Sequence, residues 1–284
     1  MNKIKDFINL DTLNILIENA LQEDLSESGD ITTKSIFDQE QGIYILISKD
    51  SGILCGCKIF TAVFQKLDSD CIVKFDKNDG DRIEKGDSIA KIYGKIRSIL
   101  KGERVALNFL SHLSGIATKT AAFVEKTGGK AKILDTRKTI PGFRAFQKYA
   151  VLCGGGKNHR MGLYDMVMIK DNHIDGTGSI INAVSKVKSK VNPSIKIEVE
   201  TRNLEEVKEA LKSQVDYIML DNMPLEMMKK AVKIINKQTL VEASGNMALS
   251  RIKDVAETGV DFISVGELTH SVKAFDFSLR KEKK

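Results

Sequence analysis

The chain has 284 residues, 42% of them hydrophobic and only three of them proline, so it is long enough for one large or two moderate domains with real cores, and disorder is not indicated. The formal charge of +6 is partly a tail, because Arg280 to Lys284 carry four basic residues and one acidic, which leaves the body nearly balanced. Aromatics make up 6% with no Trp, which argues against nucleic acid; no apolar run approaches a membrane span, and MNKIKDFINLD lacks a signal-peptide core, so a cytoplasmic enzyme with neither nucleic-acid nor membrane partners is expected.

In chain order, residues 10–25 set Leu10, Leu13, Ile17 and Leu21 on one face at helical spacing, with Asp11 as the N-cap. SGDITT then supplies a turn, residues 43–47 and 53–55 read as strands, and 58–67 as a helix with Ile59, Val63 and Leu67 inward. From Asp70 to Gly94, two Gly-Asp pairs punctuate alternating isoleucines, the pattern of a small β unit. Residues 96–127 read as a long helical connection broken near Ser114-Gly115, with Arg104 near its start. Its first part is more apolar than a single amphipathic stripe needs, which points to burial on two sides or a subunit interface. The four cysteines form neither a disulfide framework nor a zinc signature and read as ordinary thiols.

From Ile133 onward, apolar runs at 133–134, 166–169, 195–199, 217–220, 239–241 and 262–265 alternate with helical segments. Asn203 and Glu206 start one helix in capping-box fashion, Pro224 opens the next, and Gly259 stops another. Six β/α units argue for a parallel barrel or barrel-like sheet. Residues 1–113 are expected to form an N-terminal α+β domain and 114–271 the barrel, with 272–284 packing back on the first.

Chemistry in a barrel belongs at the C-terminal strand ends. The connection from Ile133 to Ile174 gathers Arg137, Lys138, Arg144, three consecutive glycines, Lys157, His159, Arg160 and Lys170, which suits a small, multiply anionic ligand. In IKIEVE, Lys196, Glu198 and Glu200 share one strand face. Glu198 reads as a structural partner of Lys170 or Lys138. Glu200 and Asp221 are candidates for a Mg2+-diphosphate role, because Mg2+ takes one or two carboxylates together with substrate phosphates and water. EASGN and SVGELTHS each combine a strand end, a glycine turn and a helix start, and the last two loops of a barrel often hold phosphate. His270 reads as a helix-surface or capping residue. A barrel aldolase with Lys170 as its Schiff-base lysine is a competing reading, but such a lysine needs a desolvated pocket, and here cations crowd around it. A phosphometabolite-binding regulator is another, with no DNA-binding element to support it.

DTRKTIPGFR, GGGKNHR, MVMIKDNH, IEVE, IMLDN, EASGN and ISVGELTHS, in that order between about Glu23 and Ser271, resemble the quinolinate phosphoribosyltransferase family. The resemblance implies an open α/β barrel beside an N-terminal α+β sandwich domain, and a type II phosphoribosyltransferase converting quinolinate and phosphoribosyl diphosphate to nicotinate mononucleotide, diphosphate and carbon dioxide in NAD biosynthesis. It implies Arg137, Lys138, His159, Arg160 and Lys170 on the two carboxylates, Thr139 as a further substrate-binding residue, and Arg104 lent by the neighbouring chain of a homodimer or higher oligomer with shared sites. Ser244, Gly245, Asn246, Val265, Gly266 and Glu267 would surround the sugar phosphate. Glu200 and Asp221 would act on the ribose hydroxyls and Mg2+, making Lys138, Lys170, Glu200 and Asp221 the catalytic set.

Overall fold

A computed structural model describes residues 7–283, so Met1 to Asp6, including part of the segment weighed as a signal peptide, and Lys284 of the basic tail lie outside the described residues. The chain divides into two units. One comprises Met1–Lys119, Ala145–Gly155 and Val272–Lys284, and the other Thr120–Arg144 and Gly156–Ser271.

In the first unit, α1 (Leu10–Leu25) buries Leu13, Ile17 and Leu21 as the spacing predicts, but its cap is Asn9, whose side chain accepts from the N–H groups of Asp11 and Thr12. Asp11 therefore sits inside the first turn, and Leu10 is 59% exposed. The SGDITT stretch is more than a turn: Asp30 caps a short helix, α2 (Ile31–Ile36), by accepting from Thr33 N–H at 2.9 Å. Strands β1 (Gln41–Ser48) and β2 (Gly52–Ile53) follow, then α3 (Cys57–Leu67), which buries Ile59, Phe60, Val63 and Phe64. The expected small β unit is present as β3 (Ile72–Phe75), β4 (Arg82–Ile83) and β5 (Ser88–Lys95).

Helix α4 (Ile96–Lys126) runs for 31 residues without the expected break. Gly115 serves a different purpose, because a Cβ there would lie 2.2 Å from the Lys273 carbonyl oxygen. The glycine permits a close approach and the helix passes straight through it. Arg104 is well inside this helix and exposed, between buried Val105, Ala106 and Leu107 and half-buried Glu103.

The second unit holds β6 (Lys132–Leu134), and after it comes α5 (Arg144–Cys153), most of which belongs to the first unit. Next come β7 (Val167–Ile169), α6 (Asp171–Thr177), α7 (Ile180–Lys188), β8 (Ile197–Thr201) and α8 (Leu204–Lys212). The run ends with β9 (Tyr217–Asp221), α9 (Leu225–Ile235), β10 (Leu240–Ser244), α10 (Ile252–Ala256), β11 (Phe262–Ser264) and α11 (Glu267–His270). The six strands make one sheet in the order β6-β11-β10-β9-β8-β7, every pair parallel. Because β6 and β7 are the outer strands, this is an open α/β barrel, as expected. The helices bury their spaced apolar residues, Val207 and Ala210 on α8 and Met228, Ala231 and Ile235 on α9, which is what covers a parallel sheet.

The last strand, β12 (Phe277–Lys281), returns to the first unit and pairs antiparallel with β1, giving a sheet of order β12-β1-β5-β3. All four cysteines are free, and burial pushes the Cys71 thiol up to about 11. Among the described residues, no helix is long and apolar enough to cross a membrane.

Candidate active site

Strand register decides what reaches the barrel interior. Glu200 on β8 is level with Met219 on β9 and Glu242 on β10, while Glu198 is level with Met168 and Tyr217, and Asp221 with Ser244. Side chains at paired positions share a face, so these residues all point the same way, toward a cleft of about 760 Å³ at the C-terminal ends of the strands. Its lining comes entirely from the second unit.

Charge is segregated by strand. Arg137 and Lys138 follow β6, while Arg160 and Lys170 flank β7, so these four lining cations belong to the two outer strands of the open sheet. The inner strands contribute Glu200, Asp221, Ser244, Gly245, Asn246, Gly266 and Glu267. Lys170 Nζ meets Glu200 Oε2 at 2.6 Å, and Asn222 Nδ2 donates to Asp221 Oδ2 at 2.9 Å. Burial and the neighbouring Arg137 both press the Arg160 pKa down, so two guanidiniums face the same space.

The loop tips after β9 and β10 interlock. Asn222, Gly245 and Asn246 all have positive φ (+52°, +92° and +48°), and Asn246 Nδ2 donates to Asn222 Oδ1 at 3.1 Å. A Cβ on Gly245 would fall 2.2 Å from that same Oδ1, so both the conformation and the space require glycine.

Beneath the basic side lies a buried acidic framework. Asp135, fully buried, accepts from His159 N–H at 2.9 Å and from the Asn158 side chain. His159 Nε2 lies 2.9 Å from Glu198 Oε2 and 3.5 Å from Glu242 Oε2, and both glutamates are buried. Burial pushes the Glu198 carboxyl up to about 7; burial first, and the nearby Glu198 second, hold Glu242 well above the usual carboxylate range. Arg160 is fixed by hydrogen bonds from Nη1 to the Met166 carbonyl at 3.1 Å and from Nη2 to Met168 Sδ at 3.6 Å. The connection itself returns along β6, with Lys157 N–H on the Ile133 carbonyl at 2.8 Å and Asp135 N–H on the Lys157 carbonyl at 3.2 Å.

Two family models match the chain, the N-terminal domain of quinolinate phosphoribosyl transferase over residues 30–114 and its C-terminal domain over 116–280. The chain belongs to the quinolinate phosphoribosyltransferase family. The chloroplastic nicotinate-nucleotide pyrophosphorylase [carboxylating] of Arabidopsis thaliana is 45% identical, over 94% of this chain and 82% of that protein. A probable enzyme of the same name from Bacillus subtilis (strain 168) is 42% identical, over 93% of this chain and 91% of its own. The crystal structure of NadC from Streptococcus pyogenes superposes with a TM-score of 0.93 at 41% identity, covering 97% of this chain and 99% of that one.

Most of the residues that the family resemblance singles out do meet in the cleft, from Arg137 and Lys138 round to Gly266 and Glu267. Three do not line it. Thr139 is engaged by Arg144 Nε at 3.0 Å, Val265 is fully buried, and Arg104 lies in the first unit. The three glycines end α5, where Gly154 and Gly155 N–H groups bond to Ala150 and Leu152 carbonyls, and they are not cleft residues. Glu198 differs from its expected pairing, for its partner is His159 while Lys170 goes to Glu200. Asn222, Met168, Met219, Glu242, Ser264 and His270 are lining residues that sequence reasoning did not assign to the site. Strand alternation carried the signal for Met168, Met219 and Glu242, each on the inward face beside a residue already chosen.

Proposed function

We propose that this cleft carries out the family's reaction with quinolinate on the basic side and phosphoribosyl diphosphate against the loops of the inner strands. The observation that supports this arrangement is the segregation of charge: the lining cations Arg137, Lys138, Arg160 and Lys170 border one region, and small residues with acidic neighbours border the other. Guanidinium forks suit the two carboxylates of quinolinate. The pyridine nitrogen is its own nucleophile, attacking the ribose carbon as diphosphate leaves, so no activated Ser or Cys is needed. Loss of the adjacent carboxylate as carbon dioxide then leaves an electron pair on the ring carbon, which takes up a proton. Lys138 and Lys170 beside the ring stabilise the negative charge in these steps, and Glu200 and Asp221 face the ribose hydroxyls.

Glu200 and Asp221, hard oxygen donors at the ends of neighbouring strands and open to the cleft, fit Mg2+ that also takes substrate oxygens and water. Bound there, Mg2+ would neutralise the diphosphate. The active unit on this reading is a homodimer in which Arg104 of a second copy completes the basic side. Its exposure on α4, and the absence from the lining of any first-unit residue among the described residues, support that. Four free thiols suit a cytoplasmic setting.

Incubation with quinolinate, phosphoribosyl diphosphate and Mg2+ should release diphosphate and carbon dioxide together and stop on chelation of the metal. Nicotinate, which has one carboxylate, should be a poor substrate, because the cations meant for the second group would be left unpaired. Equal turnover of nicotinate, or no product from quinolinate, would refute the assignment.

A further inference from the structure

His159 borders a cleft made for carboxylates, and the residue type invites the reading that a protonated imidazole grips one of them. Its surroundings oppose this. The backbone N–H of Arg160, whose hydrogen is fixed by the peptide plane, donates to His159 Nδ1 at 2.7 Å, so Nδ1 carries a lone pair and no proton. The neutral ring then holds its proton at Nε2, directed at Glu198 Oε2 at 2.9 Å, with Glu242 Oε2 behind at 3.5 Å. An imidazolium would place a second N–H against the Arg160 amide.

The same geometry disposes of a metal at this spot. His159, Glu198 and Glu242 bring ligand-type atoms within 4.8 Å of one another, and one oxygen of each glutamate, Oε1, has no hydrogen-bond partner. A metal on Nε2 requires the proton on Nδ1, facing an acceptor. Here Nδ1 faces a donor.

We propose that His159 is a positioning residue: a neutral imidazole, protonated at Nε2, that ties the Arg160 main chain to the buried carboxyl group of Glu198, with Glu242 packed behind, and so delivers the Arg160 guanidinium into the cleft. The segment needs such a tie because it is irregular backbone between α5 and β7, with one isolated bridge, Leu134 to Lys157, joining it to the sheet. Asp135 from the end of β6 takes His159 N–H, Glu198 from β8 takes its ring N–H with Glu242 from β10 at 3.5 Å behind, and Arg160 leaves on the cleft side. Glu198, which does not line the cleft, is thus a positioning residue too, acting on substrate only through His159 and Arg160. This rests on the assignment of quinolinate to the basic side of the cleft.

The test begins with the ring itself. In the full chain labelled with 15N-histidine, the His159 signals, identified by their loss in His159→Gln, should show the neutral Nε2–H form and keep it when quinolinate saturates the protein. An imidazolium or Nδ1–H pattern, before or after quinolinate is added, overturns the proposal. Glu198→Leu should lower kcat/KM for quinolinate roughly 100-fold, the scale of loss that a misplacement of ~1 Å brings, through KM for quinolinate and not KM for phosphoribosyl diphosphate. An equal rise in both KM values would mean that the glutamate supports the barrel generally, and would overturn the positioning role. The NMR result does not depend on turnover, so a wild-type chain inactive on quinolinate would sink the functional assignment and leave the tautomer to be judged separately.

Discussion

Arg137 is exposed at the end of β6 and lines the cleft, so its guanidinium contributes little to the core, and in the proposed role it acts only when a carboxylate covers it. Arg137→Ala should therefore leave the unfolding midpoint almost unchanged while costing about 2–5 kcal/mol in kcat/KM for quinolinate, measured by steady-state kinetics. Gly245→Ala should do the reverse of what its small size suggests. Alanine resists the +92° φ and meets Asn222, so the β10 tip must move. The strain is of order 1–3 kcal/mol, and the loss should fall on KM for phosphoribosyl diphosphate more than on KM for quinolinate. Arg137, Lys138 and Lys170 were legible in the sequence because charge at a strand end needs no tertiary information to be noticed. The direction of the His159 ring was not, since it is set by acids on β8 and β10, some 40 and 80 residues further along the chain.

At the level of whole elements, strands were the easier part. Alternation alone put Glu198 and Glu200 on one face of β8, and the parallel register then aligned them with Met168 and Met219. The supposed break in α4 shows why helices were harder, because a glycine looks like a local interruption when its cause is a carbonyl from residue 273. The same helix carries a pH dependence. His112 is half-buried, with its Nε2 3.0 Å from Gln147 Nε2, and burial holds its pKa below the ordinary value. A depressed imidazole stabilises the fold above its unfolded pKa of about 6.5, and that contribution is lost as pH falls through the lower folded value. Denaturant melts between neutral and mildly acidic pH should show wild type losing stability faster than His112→Gln; parallel slopes would contradict this.

For the molecule as a whole, the proposed dimer with shared sites makes a quantitative prediction. Arg104→Ala and Arg137→Ala should each inactivate a homodimer, yet co-expression should restore activity, because a mixed dimer holds one site with both defects and one with neither. With random pairing about half of the dimers are mixed and half of their sites intact, so recovery should approach about a quarter of wild type for a symmetric pair. Mixed dimers no more active than their parents would place Arg104 in its own chain's pocket, or outside the chemistry altogether. In the sequence, the over-apolar stretch after Arg104 and the family resemblance are what point to a second copy.

A barrel that stops at six strands leaves two bare sheet margins, and bare margins invite other chains to add to them. Here each margin is only three residues long, and the connection that builds the cleft also guards both: the main chain of Lys157 bonds along β6, and the Arg160 guanidinium sits on the Met166 carbonyl at the start of β7. Lesions that loosen residues 156–160 should therefore be felt in solubility as well as in turnover, with the enzyme tending to aggregate through the same short segment that borders its cleft.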